Sequence, residues 1–152
     1  MSKNKSESTQ KTNPTAHSEL AKKLGISDKE VKNNKLYSFI NDWYGVPYKF
    51  GGCQKNGVDC SCFVSILNEE VYNKNVPRTA DEMFKKSKKI SLNEAKSGDL
   101  VFFKINGNTV SHVGVVLIKN NFAHSSTSKG VIVNNIDEAY YKKYFFCAGR
   151  IN

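Results

Sequence analysis

The apolar residues of this chain follow a helical period in the first half and a strand period in the second half. The first helical stretch begins at a capping box, in which Ser27 is the N-cap and Glu30 stands at the N3 position. Apolar residues then recur as far as Trp43, and Gly45 lies just beyond it. We therefore predict one amphipathic helix that begins after Ser27 and ends near Gly45.

A second helical stretch follows a glycine-rich loop and begins with two closely spaced cysteines. Asp59 fits the N-cap position, and the apolar positions from Cys60 to Val71 follow an i, i+3, i+4, i+7, i+11 pattern. This pattern predicts a helix that runs from residue 60 to about residue 72. A further capping box, made of Thr79 and Glu82, predicts a short helix after it.

From Gly98 onward the period changes to that of β-strands. Short runs rich in β-branched and aromatic residues are separated by Asn, Gly and Ser. Helices that precede an antiparallel meander predict an α+β fold, with helices packed on an antiparallel sheet of about five strands. The runs are DLVFFKI, SHVGVVLI, NFAHSS, GVIVNN and YFFCAGRI.

The N-terminal residues differ in composition from the rest of the chain. Residues 1–17 are rich in polar residues and have almost no large apolar side chain, which predicts a disordered polar tail or tether. One domain is expected over residues 18–152. No membrane span or signal peptide is evident, and four cysteines are too few to predict a disulfide framework. Taken at face value, these features predict a soluble cytosolic chain with free thiols.

The chain is basic, with a formal charge of +9 and 23 cationic side chains, of which only Arg78 and Arg150 are arginines. Such a charge favours anionic partners, namely nucleic acid, lipid headgroups or acidic cell-wall polymers. Nucleic acid is disfavoured, because its recognition favours arginine and because no nucleic-acid-binding motif is present. A solvated basic surface is the simpler interpretation.

Cys60 is the strongest candidate for a reactive side chain, because it lies in the first turn of a predicted helix. Unpaired N–H groups and the helix dipole favour an anion there and can lower the pKa of a thiol. The alternative is a small buried hydrophobic residue. A metal site is disfavoured, since Cys60 and Cys62 point about 200° apart around the helix and no Cys-x-x-Cys pair exists. The same geometry disfavours a disulfide between these two cysteines.

A cysteine nucleophile needs a base and a group that orients the base, and His112 and His124 lie on adjacent predicted strands. If a simple turn at residues 119–121 joins the strands, His124 falls opposite Val116. His112 is then about 13 Å further along the same face. Contact between the histidines would need strand coiling or a bulge near Gly114, so spacing alone leaves the triad open.

Six motifs in order, from about Trp43 to Arg150, resemble those of the NlpC-type bacterial cell-wall cysteine peptidases. That family has a minimal papain-like fold, and the resemblance implies the same fold here, with no metal and no cofactor. The motifs are GVPYKFGG, GVDCSCFV, VPRTADEM, SGDLVFF, SHVGVVLI and FAHSSTSKGVIV.

The resemblance implies roles for individual residues. Cys60 matches the nucleophile, His112 the general base, and His124 the residue that orients the base. Tyr48, which by itself is either a core aromatic or a site residue, matches an active-site tyrosine. Cys62 departs from the family, which usually has glycine at that position. The remaining predicted site residues are the N-cap Asp59 and two contacts to the oxyanion or the substrate, Ser61 and Ser111.

The implied function is hydrolysis of peptidoglycan stem peptides by a monomeric enzyme, through a thioester at the D-γ-glutamyl–diamino acid bond. Some short lipoprotein members of the family cut the D-alanyl–diaminopimelate crosslink instead. By that analogy the polar tail is a tether behind a lipid anchor in the native precursor, and the protein belongs to the bacterial cell envelope. Two other interpretations stay open: an amidase or lipid acyltransferase on the same fold, and a non-catalytic wall-binding module.

Overall fold

A computed structural model describes residues 14–152, with side chains from Glu19 onward. The predicted tail lies outside the described residues as far as residue 13. Its last four residues belong to the first helix, α1 (Pro14–Leu24), which therefore begins before the predicted domain boundary. No helix in this part of the chain is long and apolar enough to cross a membrane.

Two antiparallel sheets contain all the strands of the described residues. The smaller sheet is a hairpin of β1 (Cys53–Gln54) and β2 (Gly57–Val58). The larger one has six strands, which are β3 (Lys88–Ile90), β4 (Leu100–Phe103), β5 (His112–Val116), β6 (Asn121–Ser126), β7 (Gly130–Asn135) and β8 (Phe145–Arg150). They lie in the order β3-β8-β4-β5-β6-β7.

The α+β prediction is confirmed, and the five predicted strand runs correspond to β4 through β8. The sheet has one strand more than expected, because β3 pairs with β8 at the edge. Its sequence, Lys-Lys-Ile, carries little hydrophobic signal, and charged residues of this kind are common on edge strands because they discourage pairing with another chain.

Five α-helices follow α1 in the chain, and one predicted helix is divided in two. They are α2 (Asp28–Asn33), α3 (Lys35–Trp43), α4 (Cys60–Tyr72), α5 (Ala80–Lys86) and α6 (Ala139–Tyr144). The single helix predicted from Ser27 to Gly45 is wrong, because Asn34 has an extended backbone with φ −108° and ψ 120°. Its side chain accepts a hydrogen bond from the Tyr37 N–H at 3.0 Å and so caps α3.

The other helix starts form as predicted. Ser27 and Glu30 make the capping box of α2, and Thr79 caps α5 by accepting a hydrogen bond from the Glu82 N–H at 3.2 Å. Helix α4 has the predicted bounds, and it ends at Asn73, which adopts a left-handed conformation with φ 55°.

Apolar side chains are buried on both faces of the large sheet. On one face the helices α1 to α5 pack against inward residues of the strands and form the main core. On the other face a smaller cluster, built around Phe103 and Phe122, is covered by Tyr141 and Tyr144 of α6. Helix α4 packs against β5 and β6 in the main core, so its N-terminus lies beside the strands that carry both strand histidines.

Candidate active site

Cys60 is the first residue of α4, and its thiol lies against β5. Its side chain is buried, and the backbone of Val113, the residue after His112, lies close enough to the thiol to lower its pKa. Burial raises the pKa of the Cys60 thiol above its ordinary value, and the nearby Asp59 carboxylate raises it further. Hydrogen bonds from the backbone of Val113, Ser61 and Cys60 itself lower the pKa but do not outweigh burial. The net direction is opposite to the lowering that the helix N-terminus led us to predict.

The structure brings His112 and His124 into direct contact. The Nε2 atom of His112 lies 2.7 Å from the Nδ1 atom of His124, and both rings are buried. Two strand histidines thus form a hydrogen-bonded pair next to the strand position that contacts Cys60.

The predicted gap between the histidines is wrong because the β5–β6 register differs from the simple hairpin. Val116 pairs with Phe122 rather than with His124, which shifts β6 by two residues. The shift arises in the connection, where Lys119 and Asn120 both adopt a left-handed backbone, with φ 57° and φ 64°. His124 therefore comes opposite Gly114 instead of Val116.

Gly114 leaves the room that the histidine pair needs. A Cβ atom at this position would lie 2.8 Å from Cδ2 of Phe122, 3.0 Å from the carbonyl oxygen of Ala123 and 3.2 Å from Cβ of His124. A backbone carbonyl cannot turn away as a flexible side-chain end can. Any side chain at residue 114 therefore pushes β6, and His124 with it, away from β5.

Replacing Gly114 with alanine is expected to destabilise the protein by about 1–3 kcal/mol through overpacking. Because His124 moves with β6, the reactivity of Cys60 should fall as well. Urea denaturation and the rate of Cys60 alkylation by iodoacetamide measure the two effects. A variant with wild-type stability would contradict the close approach seen at Gly114.

Burial keeps both histidines neutral. It lowers the pKa of His112 well below its ordinary value, and His124 lowers it further through charge repulsion. Burial also lowers the pKa of His124 to about 4, although Asn134 and Glu138 favour its charged form. At neutral pH each ring therefore carries a single N–H proton, and its other nitrogen is unprotonated.

Acid should destabilise the fold through this pair. The unfolded chain protonates its histidines near pH 6.5, whereas folded His124 does so only near pH 4, so the unfolded state binds more protons between these values. The unfolding free energy should be insensitive to the pair above pH 6.5 and fall from there towards pH 4. Urea denaturation across this range measures the slope, and the His124→Phe variant should show a shallower one. Equal slopes in the two proteins would contradict the prediction.

Asp59 is the centre of a polar cluster at the start of α4. Its carboxylate accepts hydrogen bonds from the Cys62 N–H at 2.7 Å, the Ser61 hydroxyl at 3.2 Å and the Gly51 N–H at 3.2 Å. Arg78 donates to both carboxylate oxygens, at 3.0 and 3.3 Å, and to the Ser61 hydroxyl at 2.7 Å. One carboxylate therefore joins the glycine-rich loop, the helix start and an arginine whose side chain is 46% exposed.

Two other predicted residues have different surroundings. Tyr48 is half-buried and forms a backbone β-bridge with Val58 of β2. Burial raises the pKa of its phenol, and the charges of Cys60 and Asp59 raise it further. It thus lies near the thiol. The Ser111 hydroxyl accepts a hydrogen bond from the Ile105 N–H at 3.0 Å and braces the β4–β5 connection. The contact with substrate that we predict for Ser61 and Ser111 stays a prediction.

Cys62 forms a disulfide with Cys53, and the prediction of free thiols is wrong for these two residues. The β1–β2 hairpin turns the chain back, and the Asp59 N–H donates to the Gly52 carbonyl at 3.0 Å, which places Cys53 against the first turn of α4. Cys60 stays free, as does Cys147. Within residues 14–152, no group of three or more His, Cys, Asp or Glu side chains is arranged to hold a metal ion.

A comparison with protein families assigns most of the chain to a known family. Residues 45–150 match the model of the NlpC/P60 family. This chain belongs to the NlpC/P60 family.

Curated relatives agree with that assignment. The chain is 41% identical over 126 residues to the murein DD-endopeptidase MepS/murein LD-carboxypeptidase of Escherichia coli, covering 83% of this chain and 66% of that protein. It is 40% identical over 116 residues to a probable endopeptidase NlpC homolog of Haemophilus influenzae, covering 76% of this chain and 61% of that protein. The chain thus spans slightly less than two thirds of the length of these relatives.

Solved structures of the family share the fold. A protein of the NLP/P60 family from Staphylococcus aureus, described as similar to lipoprotein, superposes with a TM-score of 0.69 at 27% identity, over 83% of this chain and 42% of that one. RipD of Mycobacterium tuberculosis, described as a non-catalytic NlpC/p60 domain protein, has a TM-score of 0.62 at 18% identity, over 80% of this chain and 98% of that one. The minimal papain-like fold by itself therefore does not decide whether a member is catalytic.

Proposed function

We propose that this chain is a cysteine endopeptidase of the bacterial cell envelope that hydrolyses the stem peptides of peptidoglycan. One observation carries the proposal: the Cys60 thiol contacts the backbone beside His112, whose ring is hydrogen-bonded to His124 at 2.7 Å. A nucleophile, a base and a group that orients the base are the three parts that acyl transfer by a cysteine requires.

The reaction begins with a neutral pair. Burial raises the pKa of the Cys60 thiol and lowers that of His112, so the resting site holds a thiol and an imidazole rather than an ion pair. His112 takes the thiol proton as the sulfur attacks the carbonyl carbon of the stem peptide. The amide bond breaks, the amine leaves with that proton, and Cys60 is left as a thioester. Water, deprotonated by His112, then hydrolyses the thioester and restores the thiol.

The oxyanion of the tetrahedral intermediate forms next to the first turn of α4. The N–H groups of Cys60 and Ser61 act on the thiol sulfur and lower its pKa, so they are suitably placed to donate to an oxygen on a carbon bonded to it. In other enzymes one such donor contributes about 2.7–4 kcal/mol to transition-state stabilisation. Tyr48, near the thiol, contacts the substrate or assists in this role.

The curated relatives favour one of the two candidate bonds in the stem peptide as the one that is cleaved. Our first expectation from the sequence is the D-γ-glutamyl–diamino acid bond, with the D-alanyl–diaminopimelate crosslink as the alternative. The E. coli relative at 41% identity is named a DD-endopeptidase, so we now propose the crosslink. The disulfide between Cys53 and Cys62 supports an envelope location, because such bonds persist in oxidising compartments. A monomer and an upstream lipid anchor stay predictions.

Mass spectrometry of muropeptides after digestion tests the proposal. Purified protein should convert crosslinked dimers of stem peptides to monomers, and an otherwise identical digest with the Cys60→Ala variant should leave the dimers intact. Cleavage inside monomeric stems would instead support the D-γ-glutamyl bond. Phospholipid vesicles, incubated in parallel, test the acyltransferase alternative, and consumption of lipid without cleavage of peptidoglycan would overturn the proposal.

A further inference from the structure

The hydrogen-bonded chain that starts at His112 does not end at His124. The Nε2 atom of His124 lies 2.8 Å from Oδ1 of Asn134. The side-chain amide of Asn134 donates to the carboxylate of Glu138, at 3.1 Å to Oε1 and 3.4 Å to Oε2. These four side chains thus form a continuous series from the buried base to a carboxylate at the surface, and neither Asn134 nor Glu138 belongs to one of the six family motifs.

The backbone explains why these groups meet. Asn134 of β7 pairs with Phe122, so it lies diagonally across the ladder from His124 on the same face of the sheet. A turn after β7 returns Glu138 to the strand end, where its Oε2 atom also accepts a hydrogen bond from the Asn135 N–H at 2.7 Å. The carboxylate is therefore held by two neighbouring donors of β7.

The Glu138 carboxylate, at the outer end of this series of side chains, fixes the direction of every hydrogen bond in it. A carboxylate only accepts, so Asn134 must turn its NH₂ group towards Glu138 and its oxygen towards His124. The oxygen accepts from an Nε2–H of His124. A neutral His124 then has its lone pair on Nδ1, which accepts from an Nε2–H of His112. The nitrogen of His112 that is left unprotonated is Nδ1.

We propose that Asn134 and Glu138 are positioning residues, which set the tautomers of His124 and His112 so that Nδ1 of His112 is the atom that accepts the Cys60 proton. The inference rests on the proposed cysteine peptidase function. If Asn134 were flipped, His124 would donate from Nδ1, His112 would accept at Nε2, and its Nδ1 would already carry a proton. The base would then be unable to deprotonate the thiol.

The matched variants are Glu138→Gln and Asp137→Asn. The first replaces the carboxylate by an amide, which can face Asn134 with either its oxygen or its NH₂ group and so no longer dictates the orientation of Asn134. The second removes the same charge one residue away, outside the hydrogen-bonded chain. Both residues are exposed, so neither change disturbs the core. Asn134→Leu is the second test of the chain, since it removes the acceptor of His124 altogether.

Ring-nitrogen NMR shifts of His112 and His124 report the tautomers directly. Wild-type protein and Asp137→Asn should show Nε2–H and unprotonated Nδ1 in both rings, whereas Glu138→Gln and Asn134→Leu should lose this pattern. The rate of Cys60 alkylation at neutral pH, and kcat on muropeptides at unchanged KM, should fall by roughly tenfold to a hundredfold in the same two variants.

Unchanged tautomers and alkylation rates in Glu138→Gln would overturn the inference, as would an equal loss in Asp137→Asn. The NMR and alkylation measurements need no substrate. If wild-type protein fails to cleave peptidoglycan while these measurements behave as expected, the proposed substrate is wrong and the role of Asn134 and Glu138 still holds.

Discussion

Replacing Cys60 with alanine is expected to abolish cleavage of peptidoglycan. Loss of the nucleophile in a hydrolase of this type lowers kcat by about 10⁴–10⁶-fold, which is below detection in a muropeptide digest. Serine should be nearly as inactive, because burial lowers the pKa of His112 well below its ordinary value and leaves it too weak a base for a hydroxyl. Release of monomeric stem peptides over time, followed by mass spectrometry, measures the loss.

Cys147→Ala is the matched control, since Cys147 is the second free thiol and lies in β8. This variant should keep full activity. Thermal unfolding of Cys60→Ala should resemble that of the wild type, because the change removes one sulfur from a small side chain at the helix start. Substantial activity in a folded Cys60→Ala protein would contradict the mechanism, whereas inactivity of Cys147→Ala would point to a general effect of thiol removal.

The start of α4 is predictable from the sequence because its causes are local. An N-cap side chain acts within three residues, as Asp59 does on the Cys62 N–H at 2.7 Å, and the apolar period needs only one helix face. The helix start that carries Cys60 could therefore be predicted, since the proposed nucleophile, its cap and its helix are contiguous. The two strand histidines could be named as candidates from their residue type and their positions on adjacent strands, and the family motifs assigned their roles without giving the geometry.

The contact between the histidines depends on features that the sequence states weakly. The distance between them depends on the β5–β6 register, and this register depends on two residues with a left-handed backbone, Lys119 and Asn120. Asparagine is common in that conformation, whereas lysine is not. The role of Gly114 emerges only once β6 is in place. Asn134 reaches His124 through the pairing of β6 with β7, so no motif in one strand contains the information.

The polar cluster around Asp59 shows how one carboxylate can serve both structure and chemistry. It caps α4, holds the Gly51 backbone and pairs with Arg78, while its charge raises the pKa of the Cys60 thiol. A negative group beside the nucleophile opposes thiolate formation in the resting enzyme. Under the proposed mechanism the thiol therefore depends on His112 to take its proton as the sulfur attacks.

Removing the Cys53–Cys62 disulfide is expected to lower the unfolding free energy by about 2–3 kcal/mol. The bond spans a sequence separation of 9, and closing a loop of this length restricts the unfolded chain by about that amount. The double variant Cys53→Ser/Cys62→Ser is preferable to either single one, which would leave a free thiol near Cys60. Urea denaturation of both proteins, with and without a phosphine reductant, measures the effect.

Reductant should destabilise the wild type to the level of the double variant and leave the double variant unchanged. Cys53 is exposed, so a reductant has access to the bond. The bond joins β1 to the first turn of α4, and the loop that it closes contains Asp59 and Cys60. Its loss should therefore also loosen the loop that carries Tyr48, and the rate of Cys60 alkylation should change in parallel with stability. Equal stability of the oxidised and reduced wild type would contradict the prediction and would show that hydrogen bonds, such as those of Asp59 with Gly51 and Gly52, hold this segment without the disulfide.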